Sequence, residues 1–365
     1  MAMVTCVRTR SRRDRDYIGR MKTEAMVFDR HGGPEVLERR TIELPEPGAR
    51  EVRVRVHAVA MNHMDLWVRR GGPAFKVELP HRLGCDIVGV VEALGPGARG
   101  VVVGQRIIVA PGLSCGVCRA CASGRDNLCR SYRILGENTA GGYARHLNIP
   151  DANALPLGDR LSFTDAAALP LCTLTAWQMV FRKARLAPGQ IAVVHAAGSG
   201  VSAMLIQLAK LAEARVIATT SDPNKVERAR ALGADEVIVT SEQDLVAEVK
   251  RLTNKAGADV IFDHVGGELF EKSVRAVGWG GRIVTCGATA AHLASVDLRQ
   301  VFFRQIEILG STMGSRGDLL EALPHIESGR LRPVVDRVLP LWQAREAHEA
   351  LESRRVFGKV VLEVD

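Results

Sequence analysis

Two rhythms of apolar residues divide the chain. Between about residues 24 and 150, β-branched residues alternate with polar ones, as in Glu51-Val52-Arg53-Val54-Arg55-Val56, and Gly or Pro interrupts the runs repeatedly. Period-two alternation with such punctuation predicts short strands joined by turns, a barrel-like β domain. From residue 190 onward the pattern changes to compact apolar runs at 191–194, 216–219, 236–239, 259–262, 281–285 and 306–309, separated by stretches with helical spacing. Strands spaced by helices predict an α/β unit with a doubly wound parallel sheet. Beyond residue 314 come two helical stretches, 318–328 and 343–353, and a last strand at 359–364. That strand has no place in a completed six-stranded sheet, so it is expected to return to the first domain.

Residues 190–225 read as one strand–turn–helix–strand unit, and its turn, Ala196-Ala197-Gly198-Ser199-Gly200-Val201-Ser202, is rich in small residues. Small residues there let the backbone approach a diphosphate, and the N–H groups of the following helix favour an anion. Against a loop of the form G-A-G-S-G-V-G, Ala196 and Ser202 depart while Gly198 and Gly200 remain. The unit is therefore a candidate dinucleotide site, with a plain structural turn as the competing reading.

Composition adds bounds. The 365 residues, 47% of them hydrophobic, suffice for two cores. No apolar run reaches the length of a membrane span and no secretory signal pattern is present, so a cytoplasmic protein is expected. The net charge of +8 is concentrated in the first 22 residues, where seven basic side chains face two acidic ones. The rest of the chain carries an ordinary balance that gives no reason to expect a nucleic-acid surface. The basic segment is expected to be a disordered leader, dispensable for activity, with a transit peptide or nucleic-acid tail as alternatives.

Cys115, Cys118, Cys121 and Cys129 form a Cys-x2-Cys-x2-Cys-x7-Cys cluster. Four thiolates on one short loop suit a closed tetrahedral zinc site, and two disulfides are disfavoured in an unsecreted chain. With no ligand position left open, this zinc would fold a lobe and take no part in catalysis.

The order of these features resembles the medium-chain dehydrogenase/reductase superfamily, which includes zinc alcohol dehydrogenases and zinc-free quinone reductases. Local strings carry the resemblance: Asn62-x-x-Asp65-x-x-x-Arg69-x-Gly71, Gly84-Cys85-Asp86-x-x-Gly89, Gly141-Gly142-Tyr143-Ala144, Leu174-Thr175-Ala176-Trp177 and Gly358-Lys359-Val360-Val361. It implies a GroES-like catalytic domain over residues 23–171 and 314–365, holding the zinc lobe at 112–130. A Rossmann dinucleotide domain would span 172–313, and the leader 1–22. In the alcohol dehydrogenases a catalytic zinc is held by two Cys and a His; the matching positions here are Asn62, Cys85 and Leu171. The proton-relaying hydroxyl corresponds to Met64. Cys172 lies one residue off register, which on a helix is a rotation of about 100°.

Without a Lewis acid an alkoxide lacks a strong stabiliser, whereas hydride addition to a conjugated carbonyl spreads charge into an enolate. The expectation is a reductase of activated double bonds or quinones. Asn62 is expected to donate to the substrate carbonyl, His63 is a candidate proton donor, and Asp65 is expected to pair with Arg69 and hold the Asn62 loop. The resemblance places Thr175 at the nicotinamide. Gly198, Ser199, Gly200 and Val201 are expected to line the diphosphate, and Gly266 and Gly287, at C-terminal strand ends, to touch the cofactor. Thr220 stands where NAD enzymes carry an acid, followed by Ser221 and with Lys225 in reach, so NADP(H) is expected over NAD(H), with Asp222 as the residue that could reverse this. One structural Zn2+ per chain and a homodimer or homotetramer complete the expectation. Two alternatives remain open: an alcohol dehydrogenase or carbonyl reductase with a metal site rebuilt from Cys85, Asp86, Cys172 and His63, and an inactive NADPH-binding regulator.

Overall fold

The computed structural model describes residues 20–73, 75 and 77–365. The expected leader falls outside them except for its last three residues. Arg20, Met21 and Lys22 already open a strand, Arg20–Val27, paired antiparallel with Glu38–Pro45. These three residues therefore belong to the β domain, and the rest of the expected leader lies outside the described residues.

Two sheets carry the architecture. One holds six parallel strands in the order Glu236–Val239, Arg215–Thr220, Ile191–Val194, Ala258–Asp263, Val277–Thr285, Glu307–Gly310. In sequence order this is 3-2-1-4-5-6, the doubly wound dinucleotide arrangement. Its central strands are buried on both sides, which explains their unbroken apolar runs. Successive strands are added on one side of Ile191–Val194 and then on the other, and this switch opens a crevice at that strand's C-terminal end.

The other sheet has seven strands and contains Glu51–Ala60, Asp86–Leu94, Arg106–Val109, His146–Pro150 and Ala154–Pro156. The tail returns to it as expected: Lys359–Glu363 pairs antiparallel with Glu51–Ala60, Val361 opposite Ala60. Val335–Pro340 pairs parallel with the returning strand. It was invisible to the pattern reading because a register shift between Val335 and Arg337 breaks its alternation. One large apolar cluster runs through both sheets, from Val54 and Ile87 to Val194 and Phe262, so the crevice has rigid walls on each side. Among the described residues no helix is long and apolar enough to cross a membrane.

Candidate active site

A cleft of about 610 Å³ lies between the sheets. Of the residues singled out above, Asn62, His63, Thr175, Gly198, Ser199, Gly200, Val201, Thr220, Ser221, Lys225 and Gly287 line it. Gly266 does not; a Cβ there would stand 2.2 Å from the Ala291 carbonyl oxygen, so its φ of +77° serves the close approach of residues 288–291. Asp65 also lies outside the lining.

The floor is built by the helix Gly200–Leu211. Ser199 caps it, its hydroxyl accepting from the Ser202 N–H at 3.1 Å. Ser202, in the last glycine position, is buried and donates to the His195 carbonyl at 2.6 Å, tying helix to strand. Ala196 takes a left-handed φ of 51°, the conformation that a glycine at this position would meet without a Cβ penalty. His195 is fully buried between Thr219 and Ser273 and does not face the cleft.

Two lysines flank this loop, and the remaining glycines make room for them. A Cβ on Gly198 would stand 3.0 Å from Lys225 Cδ; one on Gly200 would stand 2.7 Å from Lys359 Cδ. Lys225 donates to the carbonyls of Arg354 and Val356, each at 2.9 Å, and burial lowers its pKa. Arg354 brings a third cation to the lining beside Lys225 and Lys359, which the sequence reading missed. Asp222 turns its carboxylate onto Asn224, accepting from its backbone and side-chain nitrogens at 3.0 Å, and is not part of the lining.

At the other end of the cleft the expected Asn62 loop is the N-terminus of a helix, His63–Arg70. Asp65 closes its capping box: it accepts from the Asn62 N–H at 2.7 Å and from the Gly84 N–H at 2.9 Å. Burial pushes its pKa up to about 6, against those two donors. The expected Asp65–Arg69 pair does not form. Arg69 instead bonds to Glu352, to His348 Nδ1 at 2.9 Å and to the Gly32 carbonyl at 3.1 Å. The i,i+4 spacing failed because Asp65 points along the helix axis to orphan N–H groups while Arg69 reaches the C-terminal helix.

Asn62 itself is saturated. Its Nδ2 donates to Asp86 Oδ2 at 2.9 Å and to Cys85 Sγ at 3.3 Å, and its Oδ1 accepts from Lys359 Nζ at 2.6 Å. Lys359 Nζ also donates to Asp86 Oδ2 at 2.8 Å, and Asp86 Oδ1 accepts from the Leu171 N–H at 2.6 Å. Asp86 is fully buried and Lys359 nearly so. Burial is the largest single influence and would lower the lysine's pKa, but Asp86, Cys172 and Cys85 together raise it and the net direction is up, so the ammonium is charged at neutral pH. Lys359 reaches this place because its neighbour Gly358 donates to the Gly198 carbonyl at 2.8 Å, pinning the returning strand to the dinucleotide loop.

Of the four side chains named for a rebuilt metal site, Cys85, Asp86 and Cys172 have hydrogen-bond partners of their own. Cys172 turns back on its helix, donating to the Ala168 and Leu169 carbonyls at 3.1 and 3.3 Å, and burial pushes its pKa up to about 11. Burial holds Cys85 well above the usual thiol range. His63 lines the cleft, and burial, reinforced by His264, Lys359, Arg354 and Arg70, pushes it down to about 4, leaving a neutral imidazole at pH 7. Thr175 sits inside the helix Pro170–Trp177 with its residue exposed to the cleft, so helix capping is not its role. Glu137 also lines the cleft, unforeseen, and burial raises its pKa.

The four-cysteine cluster is the one metal-competent group among the described residues. All four sulfurs lie within 4.8 Å of one another, with Cys115 to Cys121 at 3.9 Å and Cys118 to Cys121 at 3.5 Å. Zn–S bonds of about 2.3 Å place tetrahedral sulfurs roughly 3.8 Å apart, so the donor set fits zinc. The lobe docks on the domain junction: Asn127 Nδ2 donates to the Thr312 carbonyl at 3.2 Å, and the Arg316 N–H to Asp126 Oδ1 at 3.1 Å.

This sheet order, the small-residue loop and the four-thiolate lobe define a two-part, nicotinamide-dependent oxidoreductase. Residues 48–159 match the family described as alcohol dehydrogenase GroES-like domain, and residues 200–328 that described as zinc-binding dehydrogenase. An NAD-dependent alcohol dehydrogenase of Sulfurisphaera tokodaii is 32% identical over 347 residues, covering 93% of this chain and 99% of its own. A quinone oxidoreductase of Pseudomonas aeruginosa is 31% identical, covering 92% and 98%. A crystal structure of an NAD-dependent alcohol dehydrogenase superposes with a TM-score of 0.89 at 50% identity, over 94% of this chain and 100% of that one. The chain belongs to the medium-chain dehydrogenase/reductase superfamily.

Proposed function

We propose that the protein is an NADPH-dependent reductase of activated double bonds or quinones, with its zinc confined to the lobe of Cys115, Cys118, Cys121 and Cys129. The observation that carries this reading is the Lys359–Asp86–Asn62 cluster. A buried ammonium already neutralises Asp86, so a divalent ion there would meet a fixed positive charge and Cys85 as its sole thiol in register.

When bound, the nicotinamide cofactor supplies or accepts a hydride. The chain's part is to hold it, with Ser199 to Val201 facing the diphosphate and Thr175 the nicotinamide. Lys225 and Arg354, with the hydroxyls of Thr220 and Ser221, supply the small-plus-cationic surroundings that a 2′-phosphate requires. The apolar surfaces of Trp67, Phe75 and Ile134 offer a substrate wall.

A homodimer or homotetramer is part of the same proposal. The edge strand Glu307–Gly310 is flanked by exposed Trp279, Phe302 and Phe303, an apolar rim suited to a second copy. A cytoplasmic location suits the reduced thiols of the lobe.

NAD-dependent alcohol oxidation is the second reading, favoured by the relatives named alcohol dehydrogenase. NADPH oxidation followed over enones, quinones and aldehydes, beside NAD(P)+ reduction over alcohols, separates the two. Turnover of enones or quinones is expected; alcohol oxidation as the main activity would overturn the proposal.

A further inference from the structure

Counting donors around Asn62 reassigns the chemistry of the cleft. A side-chain amide has two N–H donors. Asn62 gives one to Asp86 and one to Cys85, so it has none for a substrate. The reverse orientation of the amide would set its oxygen against the Asp86 carboxylate and its NH2 against the Lys359 ammonium, which electrostatics forbids. An ammonium has three donors, of which Asn62 Oδ1 and Asp86 Oδ2 take two. The third has no acceptor among the described residues, and Lys359 lines the cleft beside Asn62 and His63.

We propose that Lys359 is the catalytic cation of this site, its third N–H holding the substrate oxygen on which negative charge develops. This rests on the reductase reading. For a conjugated carbonyl, the β-carbon accepts a hydride with its electron pair, and the C=C electrons shift to form an enolate. The enolate oxygen is held by the Lys359 N–H, and a proton from water then adds at the α-carbon. The nicotinamide is oxidised and the double bond reduced, with charge and atoms balanced. Asp86 and Asn62 fix the ammonium in place and shed no proton. A donor aimed at a developing oxyanion in a water-poor site stabilises the transition state more than the ground state.

The test compares Lys359→Met, Lys359→Arg and the double variant Asp86→Asn/Lys359→Met with the unaltered enzyme. The double variant guards against unfolding caused by an unpaired buried Asp86. The substrate is whichever carbonyl compound the unaltered enzyme reduces. Readouts are NADPH binding by fluorescence, the single-turnover rate at saturating NADPH, and the primary isotope effect with 4-deuterated NADPH.

Loss of one oxyanion donor is worth about 10²- to 10³-fold in rate. That loss is expected in both Met variants, with NADPH binding within about threefold and a larger isotope effect as hydride transfer becomes fully limiting. Lys359→Arg should recover part of the rate. If the Met variants instead bind NADPH far more weakly and turn over normally at saturation, Lys359 is a cofactor contact and the proposal falls. An unaltered enzyme that reduces only aldehydes refutes the enone reading while the Lys359 comparison proceeds on the aldehyde. Absence of turnover over the whole panel counts against both.

Discussion

Replacing Lys225 by Met tests the cofactor reading at its most specific point. The ammonium spends two donors on the Arg354 and Val356 carbonyls and retains one, beside Thr220 and Ser221. A hydrogen bond to a charged partner is worth about 1.5–3 kcal/mol, so losing that donor to a 2′-phosphate should cost roughly 10- to 150-fold in affinity. The two carbonyl contacts are lost as well, but that loss is felt by either cofactor. The informative quantity is therefore the ratio of kcat/KM for NADPH to that for NADH, measured with one substrate. It should fall by about 10- to 150-fold in Lys225→Met, mainly through the KM for NADPH. An unchanged ratio, with both cofactors weakened alike, would refute a phosphate-binding Lys225. The relatives named NAD-dependent make this a discriminating measurement.

Other outcomes follow from the same geometry. His63 and His195 are held near 4 against 6.5 in the unfolded chain, which then binds more protons between those values, so stability is lost as pH falls from about 6.5 to 4. Asp65, raised to about 6, works in the opposite direction, but one carboxyl against two histidines leaves a net loss of roughly 2–4 kcal/mol. A urea midpoint that does not drop between pH 7 and 4.5 would contradict this. Asp65→Asn turns an acceptor of two backbone N–H groups into a side chain with one acceptor oxygen, and should destabilise by about 1–3 kcal/mol in chemical unfolding. Cys129→Ser should lower Tm by more than about 5 °C and loosen the junction at Thr312 and Arg316, read as protease sensitivity there. Phe302→Glu combined with Phe303→Glu should reduce the particle mass in light scattering if that rim meets a second copy.

Much of the fold was legible because it rests on local periodicity. The six central strands are too apolar for anything but a covered sheet, and the returning strand was recognisable as surplus to it. The zinc lobe was legible because its four ligands are close in sequence. The charged cluster at Asn62 was not. Lys359 lies 297 residues from Asn62 in the chain, and Gly358-Lys359-Val360-Val361, though part of the resemblance, does not reveal that the lysine meets Asp86. Asn62 looked like a free donor because sequence supplies the amide without its partners. Arg69 looked paired at i,i+4 because its longer-range partners, Glu352 and His348, sit on a helix whose docking no spacing encodes. Buried charge networks are fixed by tertiary proximity, and that is the information a linear pattern lacks.

The zinc-to-chain ratio of the fully active enzyme tests the central claim most directly. With Lys359 paired to Asp86 and Cys172 turned onto its own helix, one zinc per chain is expected, held by the four-cysteine lobe. Purified enzyme active on enones or quinones should hold that ratio at one by elemental analysis, and added zinc should not raise the rate. Two zincs per chain, with activity that tracks the second, would contradict the account.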